Sequence, residues 1–146
     1  DGLVELPNIE SIGSSAFYYC SSIDNFILSD KLSSISGSAF MYCEGMKTME
    51  IPDSVNSIGS NAFYGSGLSE VVFGTGIKTI GTDAFKECDS VSKMTIKDIG
   101  KWCEIEFSNA YSNLMYLETS ISSASRSPLC VNSQSFSSEN ARYASC

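Results

Sequence analysis

Residues 51–68 read IPDSVNSIGSNAFYGSGL, and most of this stretch recurs along the chain. Its Ala-Phe block, SIGSNAFYGSGL (57–68), follows SIGSSAFYYCSSI (11–23) and SISGSAFMYCEGM (34–46) and precedes TIGTDAFKECDSV (79–91). The shared phenylalanines are Phe17, Phe40, Phe63 and Phe85, at steps of 23, 23 and 22 residues, the short step reflecting one residue fewer between Phe63 and Leu68. A fixed period of this length marks an array of stacked coils.

Each Ala-Phe block leads into a second pattern, apolar-x-x-apolar-x-apolar: Ile23, Phe26, Leu28; Met46, Met49, Ile51; Leu68, Val71, Phe73; Val91, Met94, Ile96. Alternation of period two predicts a strand with one buried face. Val4 and Leu6 read as the same strand of an incomplete first coil. Pro52 then withholds an N–H from any ladder, and Asp53 and Ser54 favour a turn. The series Ile9, Leu32, Val55, Ile77 and its partners Ile12, Ile35, Ile58, Ile80 lie three residues apart, which suits a tight, 3₁₀-like return segment. One coil buries too few side chains to offset the ordering of its backbone, so stacking is obligatory and both ends need caps.

The motif I-P-D-S-V-N-S-I-G-S-N-A-F-Y-G-S-G-L resembles the BspA-type leucine-rich repeats, over roughly residues 3–97 in four copies. The stretch MTIKDIGKWCEIEFSNAYSNLMYLETSI (94–121) looks like the tryptophan-cysteine variant coil of some members, with Asn113, Leu114 and Met115 where Asn-Pro-Leu is expected. The resemblance implies an α/β-type repeat solenoid: a right-handed superhelix with a short parallel sheet on one face and loop or 3₁₀ segments on the other. It also implies secretion or cell-surface display and adhesion to a host matrix protein or another surface protein. The family brings no catalytic residues to carry over.

On this reading residues 1–118 form the solenoid of four to five coils and residues 119–146 a serine-rich C-terminal cap or tail. For a cap, Phe136 and Tyr143 would supply apolar contacts and a Cys130–Cys146 disulfide the staple.

The remaining chain of 146 residues bears 17 acidic and 9 basic residues, a net charge of -8, and no basic run to neutralise phosphates. Nucleic acid and membrane insertion are not expected, since no segment approaches the apolar length of a membrane span. The chain begins at Asp1 without a basic-then-apolar leader, which suggests a trimmed or mature fragment, and it holds no Asn-x-Ser/Thr sequon.

There is no histidine, so no Ser-His or Cys-His nucleophile can be assembled, and zinc would need four thiolates or carboxylate help. No catalytic residue, metal or cofactor is therefore expected. Cys20, Cys43 and Cys88 share one repeat position, occupied by Ser66 in the third copy. Stacked thiols are close enough for a bridge or a metal, but the serine argues for a small buried packing slot. Asp83, Glu87 and Asp89 cluster without a calcium-loop pattern. Gly13, Gly59 and Gly81 recur as Ile-Gly and read as turns needing positive φ or close coil approach rather than a phosphate loop. Trp102 reads as a plug at the end of the stack or an exposed anchor.

The outward strand residues are then Glu5, followed by Asn25, Ile27, Thr48, Glu50, Glu70, Val72, Lys93 and Thr95. They form either a ligand-binding surface, with Ile27 and Val72 as its apolar contacts, or ordinary strand surface. Three functions fit: a non-enzymatic protein-binding module, a structural spacer or capping region of a larger surface protein, and a carbohydrate-binding accessory region.

Overall fold

The computed structural model describes residues 2–114. The expected cap at 119–146, with Phe136, Tyr143, Cys130 and Cys146, lies outside the described residues.

The chain winds into a parallel β-solenoid. Strands β1 (Leu3–Leu6), β3 (Asn25–Leu28), β5 (Thr48–Ile51), β7 (Glu70–Phe73) and β9 (Lys93–Ile96) form one sheet in the order β1-β3-β5-β7-β9. The register pairs equivalent repeat positions: Leu3 with Asn25, Asn25 with Thr48, Thr48 with Glu70, Glu70 with Lys93. Alternation along each strand therefore becomes rows across the sheet, and every inward residue meets its own repeat counterpart.

The return segment differs from the 3₁₀-like reading. Leu32 closes a turn through its N–H to the Ser29 carbonyl, at 3.1 Å, and Ile35 then enters a second parallel sheet. That sheet contains β2 (Ser11–Ile12), β4 (Ser34–Ile35), β6 (Ser57–Ile58), β8 (Thr79–Ile80) and β10 (Glu106–Phe107), in the order β10-β8-β6-β4-β2. The reason is where the amides point: Ser33 donates to Glu10 at 2.8 Å and Ser36 to Ile12 at 3.0 Å, across coils rather than three residues back. Helical elements of the described residues include α1 (Ile99–Cys103) and a 3₁₀ turn (Ala110–Ser112).

The Ala-Phe block makes the third side, a run of turns. Its amides alternate between two tasks: Ala39 donates to Ser36 within the coil, Phe40 to Ala62 of the next coil, Met41 back to Ser38, and Tyr42 to Tyr64. Directing every second N–H outward requires an alternating backbone. Ser15, Tyr19, Ser38, Tyr42, Asn61, Asp83 and Glu87 have φ between 55° and 60°, and Gly65 has φ 62°. Left-handed conformation costs a non-glycine residue roughly 1–2 kcal/mol. The inter-coil bonds, such as Ser38 to Ser60 at 2.9 Å and Gly65 to Lys86 at 2.8 Å, hold it in place.

Inside, the four repeat phenylalanines stack with centroids 5.3, 5.2 and 5.1 Å apart and planes within 7° of parallel. Phe26 meets Phe17 and Phe40 edge-on. The central coils are fully enclosed, with Phe40, Phe63, Ile51 and Leu68 at 0% exposure, whereas Phe17, Val4 and Leu6 of the first coil are only partly buried. At the other end the chain departs from the repeat. Asp98 caps α1 by accepting the Lys101 amide at 3.1 Å, and Trp102, 3% exposed, packs on Phe73 and Phe107. Trp102 is therefore buried packing rather than an exposed anchor.

The glycines are resolved likewise. A Cβ on Gly59 would lie 2.5 Å from the Gly37 nitrogen and one on Gly81 2.5 Å from the Ser60 nitrogen, while one on Gly13 would meet nothing within 4 Å. Close coil approach, not positive φ, demands glycine at 59 and 81. Gly59→Ala should therefore destabilise the fold by about 1–3 kcal/mol, and Gly13→Ala by less than about 0.5 kcal/mol, measured by urea unfolding. Equal losses would mean that the turn itself, not the neighbouring coil, needs the glycine.

Candidate functional site

The outward face of the long sheet carries two registered rows. One runs Leu3, Asn25, Thr48, Glu70, Lys93; the other pairs Glu5 with Ile27 and, at the same repeat position, Glu50 with Val72 and Thr95. The structure thus brings all nine outward residues read from the sequence onto one surface and adds Leu3. Ile27 is 53% exposed and Val72 half-buried.

Much of this face is already paired. Thr48 donates its hydroxyl to the Asn25 amide oxygen. Lys93 Nζ lies 2.9 Å from Glu70 Oε2. Lys97 Nζ sits 3.1 Å from Glu50 Oε1 and 3.6 Å from Asp53 Oδ1, and these contacts, led by the Glu50 hydrogen bond, raise its pKa. Exposed pairs of this kind add little stability. They do fix the long side chains against the sheet, leaving Ile27 as the most exposed apolar group near the centre of the face.

The cysteine position is a buried donor slot. Cys43 donates its thiol to the Phe17 carbonyl at 2.9 Å, and Cys88 to the Phe63 carbonyl at 3.0 Å, each bonding to the preceding coil. Ser66 Oγ lies 3.3 Å from Cys88 Sγ. Serine fits the cysteine position because it is small, and Ser66 meets the thiol of the next coil there. Cys20, Cys43 and Cys88 are free thiols, and among the described residues no group of three or more Cys, Asp or Glu converges to hold a metal. Burial pushes Cys43 and Cys88 up to about 11, which suppresses the nucleophilic thiolate. Cys103 in α1 is disulfide-bonded.

The turn side carries a feature the sequence reading missed. Tyr18 and Tyr19, 45% and 57% exposed, cluster with Tyr42: centroids are 4.7 Å apart for Tyr18–Tyr19, 4.7 Å for Tyr19–Tyr42 and 6.2 Å for Tyr18–Tyr42. Tyr64 continues the row 5.5 Å from Tyr42. Its hydroxyl donates to Glu87, and that bond, followed by desolvation, pushes its pKa up to about 12. Lys86 Nζ lies over Tyr64 at 5.7 Å and over Tyr111 at 5.3 Å, and 3.3 Å from Asp83 Oδ2. The available signal was the aromatic pair behind Ala-Phe in the first copy, with Tyr42 and Tyr64 at neighbouring registers. Beside α1, an open depression bordered by Lys78, Lys101, Glu104 and Glu106 has mixed charge. No helix of the described residues is long and apolar enough to cross a membrane.

The model of the BspA type leucine rich repeat region matches residues 10–138 in six copies. No curated protein matches the chain significantly. Among solved structures, a leucine-rich repeat protein from Bacteroides ovatus is similar at 29% identity and TM-score 0.60, over 64% of this chain and 24% of its own. A leucine rich cell surface protein from Faecalibacterium prausnitzii aligns at 20% identity and TM-score 0.64, over 73% of this chain and 35% of its own. The leucine rich repeat protein of T. pallidum aligns at 20% identity and TM-score 0.53, over 82% and 68%. The chain thus spans about a quarter and about a third of the length of the first two.

The buried thiols give a stability signature. Their folded pKa of about 11 lies above the 9.0 of an ordinary thiol, so the folded chain holds its protons where the unfolded chain releases them. Their contribution is complete below about pH 9 and disappears as pH rises through about 11. The double variant Cys43→Ser, Cys88→Ser should lose less stability than the parent across that window in denaturant titrations. Iodoacetamide at neutral pH should modify Cys88 only under unfolding conditions, by peptide mass.

Proposed function

The chain belongs to the BspA-type leucine-rich repeat family, and from that membership we propose that it is a non-enzymatic protein-binding module, displayed at the cell surface or secreted, that presents its long parallel sheet to a protein ligand. The observation that carries this reading is the sheet face: two registered rows on a rigid parallel ladder, with Ile27 exposed among polar residues held by ion pairs. A rigid face lowers the ordering cost of association, and an exposed apolar residue ringed by polar groups suits a protein contact. The F. prausnitzii cell surface protein of the same fold supports the surface location. A host matrix protein or another cell-surface protein is the proposed ligand class, and adhesion the proposed outcome. On the same reading residues 1–118 carry the solenoid and residues 119–146 close or trail it.

The test is a screen of the full chain against immobilised extracellular-matrix proteins, beside a glycan array. Replacing Ile27, Glu50, Glu70 and Val72 together should weaken binding to a matrix hit at least tenfold, roughly the loss expected for a central contact, with the circular dichroism spectrum unchanged. A spacer would leave every interaction unaltered by the quadruple variant, and a carbohydrate-binding region would give glycan hits without matrix hits.

A further inference from the structure

The tyrosine cluster on the turn side is a surface separate from the sheet, and the fold shows on itself what such a surface recognises. Two coils beyond Tyr42, Lys86 is held between the rings of Tyr64 and Tyr111 with Asp83 as its counter-charge, at 5.7, 5.3 and 3.3 Å. This is a complete cation site of two aromatic faces and a carboxylate. In the first two coils the tyrosines recur without the lysine: Tyr18 and Met41 stand at the repeat position of Lys86, and Tyr19 and Tyr42 at that of Glu87. Among the described residues no cation lies over Tyr18, Tyr19 or Tyr42. Glu44 is near enough that its charge contributes to raising the Tyr19 pKa, after desolvation and the two neighbouring tyrosines.

The cluster is also preorganised. Tyr19 and Tyr42 sit in left-handed backbone, φ 59° and 58°, fixed by inter-coil bonds from their own amides to Met41 and Tyr64 at 3.0 and 2.8 Å. Gly65 occupies the same repeat position one coil further, and a Cβ there would lie 2.6 Å from the Tyr42 ring. The missing side chain leaves the space in which that ring rests. Exposed aromatic rings attract ammonium and guanidinium groups through their quadrupole, and the -8 net charge of the chain favours a basic partner.

We infer that Tyr18, Tyr19 and Tyr42, with Glu44, form a docking surface for an exposed basic segment of a protein partner, one arginine or lysine side chain lying over the rings as Lys86 lies over Tyr64. The guest cation lies on the exposed ring faces, and Glu44, whose charge acts on Tyr19, adds local negative charge. A glycan stacking on the same rings is the competing occupant; its hydroxyls can also donate to the carboxylate, but it carries no charge for the chain's net charge of -8 to attract.

Calorimetric titration of the full chain with an arginine-serine peptide, its citrulline isostere and a neutral oligosaccharide tests this. The arginine peptide should bind, more weakly as salt rises. The citrulline peptide should bind about tenfold more weakly, the scale of a cation over partly exposed rings. The double variant Tyr19→Ala, Tyr42→Ala should lose binding by a similar factor, Tyr19→Phe with Tyr42→Phe should stay within about twofold, since the ring face is kept, and Glu44→Gln should weaken it. The sheet-face quadruple variant should bind the arginine peptide normally, so the two surfaces fail or stand independently. Absence of arginine-peptide binding, equal binding of citrulline, indifference to loss of the rings, or binding of the oligosaccharide alone would each overturn the inference.

Discussion

The parallel hydrogen-bond ladder between coils is the constraint on which the rest of the structure depends. It sets neighbouring coils about 4.8 Å apart and places each residue over its own repeat counterpart. The phenylalanine stack obeys it directly, with centroids at 5.1–5.3 Å. Ring faces in van der Waals contact are about 3.5–4 Å apart, so the rings lie offset or tilted, the arrangement their quadrupoles favour. The glycines at 59 and 81 obey it too, because a backbone nitrogen of the preceding coil occupies the space of a side chain. So does the cysteine slot, whose thiols reach carbonyls of the coil before.

A ladder that satisfies its interior leaves its ends as the exceptions. In the first coil the inward residues Val4, Leu6, Phe17 and Cys20 are only partly buried, although they have the same types as fully enclosed residues further along. Burial here belongs to position in the array rather than to residue identity. The C-terminal side of the described coils handles the same problem by changing sequence: α1 brings Trp102 over Phe73, and the 3₁₀ turn brings Tyr111 to accept the Phe85 amide at 3.1 Å. The variant coil keeps the hydrogen-bonding directions of the repeat while substituting a larger ring for its aliphatic packing.

The period, the long strands and the inward residues were legible because period-two alternation and a 22–23-residue repeat coincide at the same positions. The family resemblance was legible on the same residues. The second sheet was not. Its strands are two residues long, and Leu32 and Ile35, three apart, fit a 3₁₀ turn as well as a turn followed by a strand. Nor does the sequence disclose left-handed backbone at Tyr19, Tyr42 and Glu87, since such residues normally avoid it and only the inter-coil bonds fix them there. The sheet-face rows could be read by alternation, whereas the tyrosine cluster could not: aromatic residues next to Ala-Phe resemble core until the turn geometry turns them outward.

That difference bears on how one short solenoid can offer two surfaces. On the sheet, side chains project from a flat lattice and lysines pair across coils, Lys93 with Glu70 in the adjacent coil and Lys97 with Glu50 two coils away, so the distinguishing group of the face is apolar. On the turn side, left-handed residues project from a tight corner and bring aromatic rings together with carboxylates, and among the described residues the fourth coil places a cation of its own, Lys86, over those rings. Backbone geometry rather than composition thus separates the two chemistries. Because each surface is built from side chains on the outside of a shared ladder, residues on one can change without disturbing the other, provided the inward half of each coil is kept.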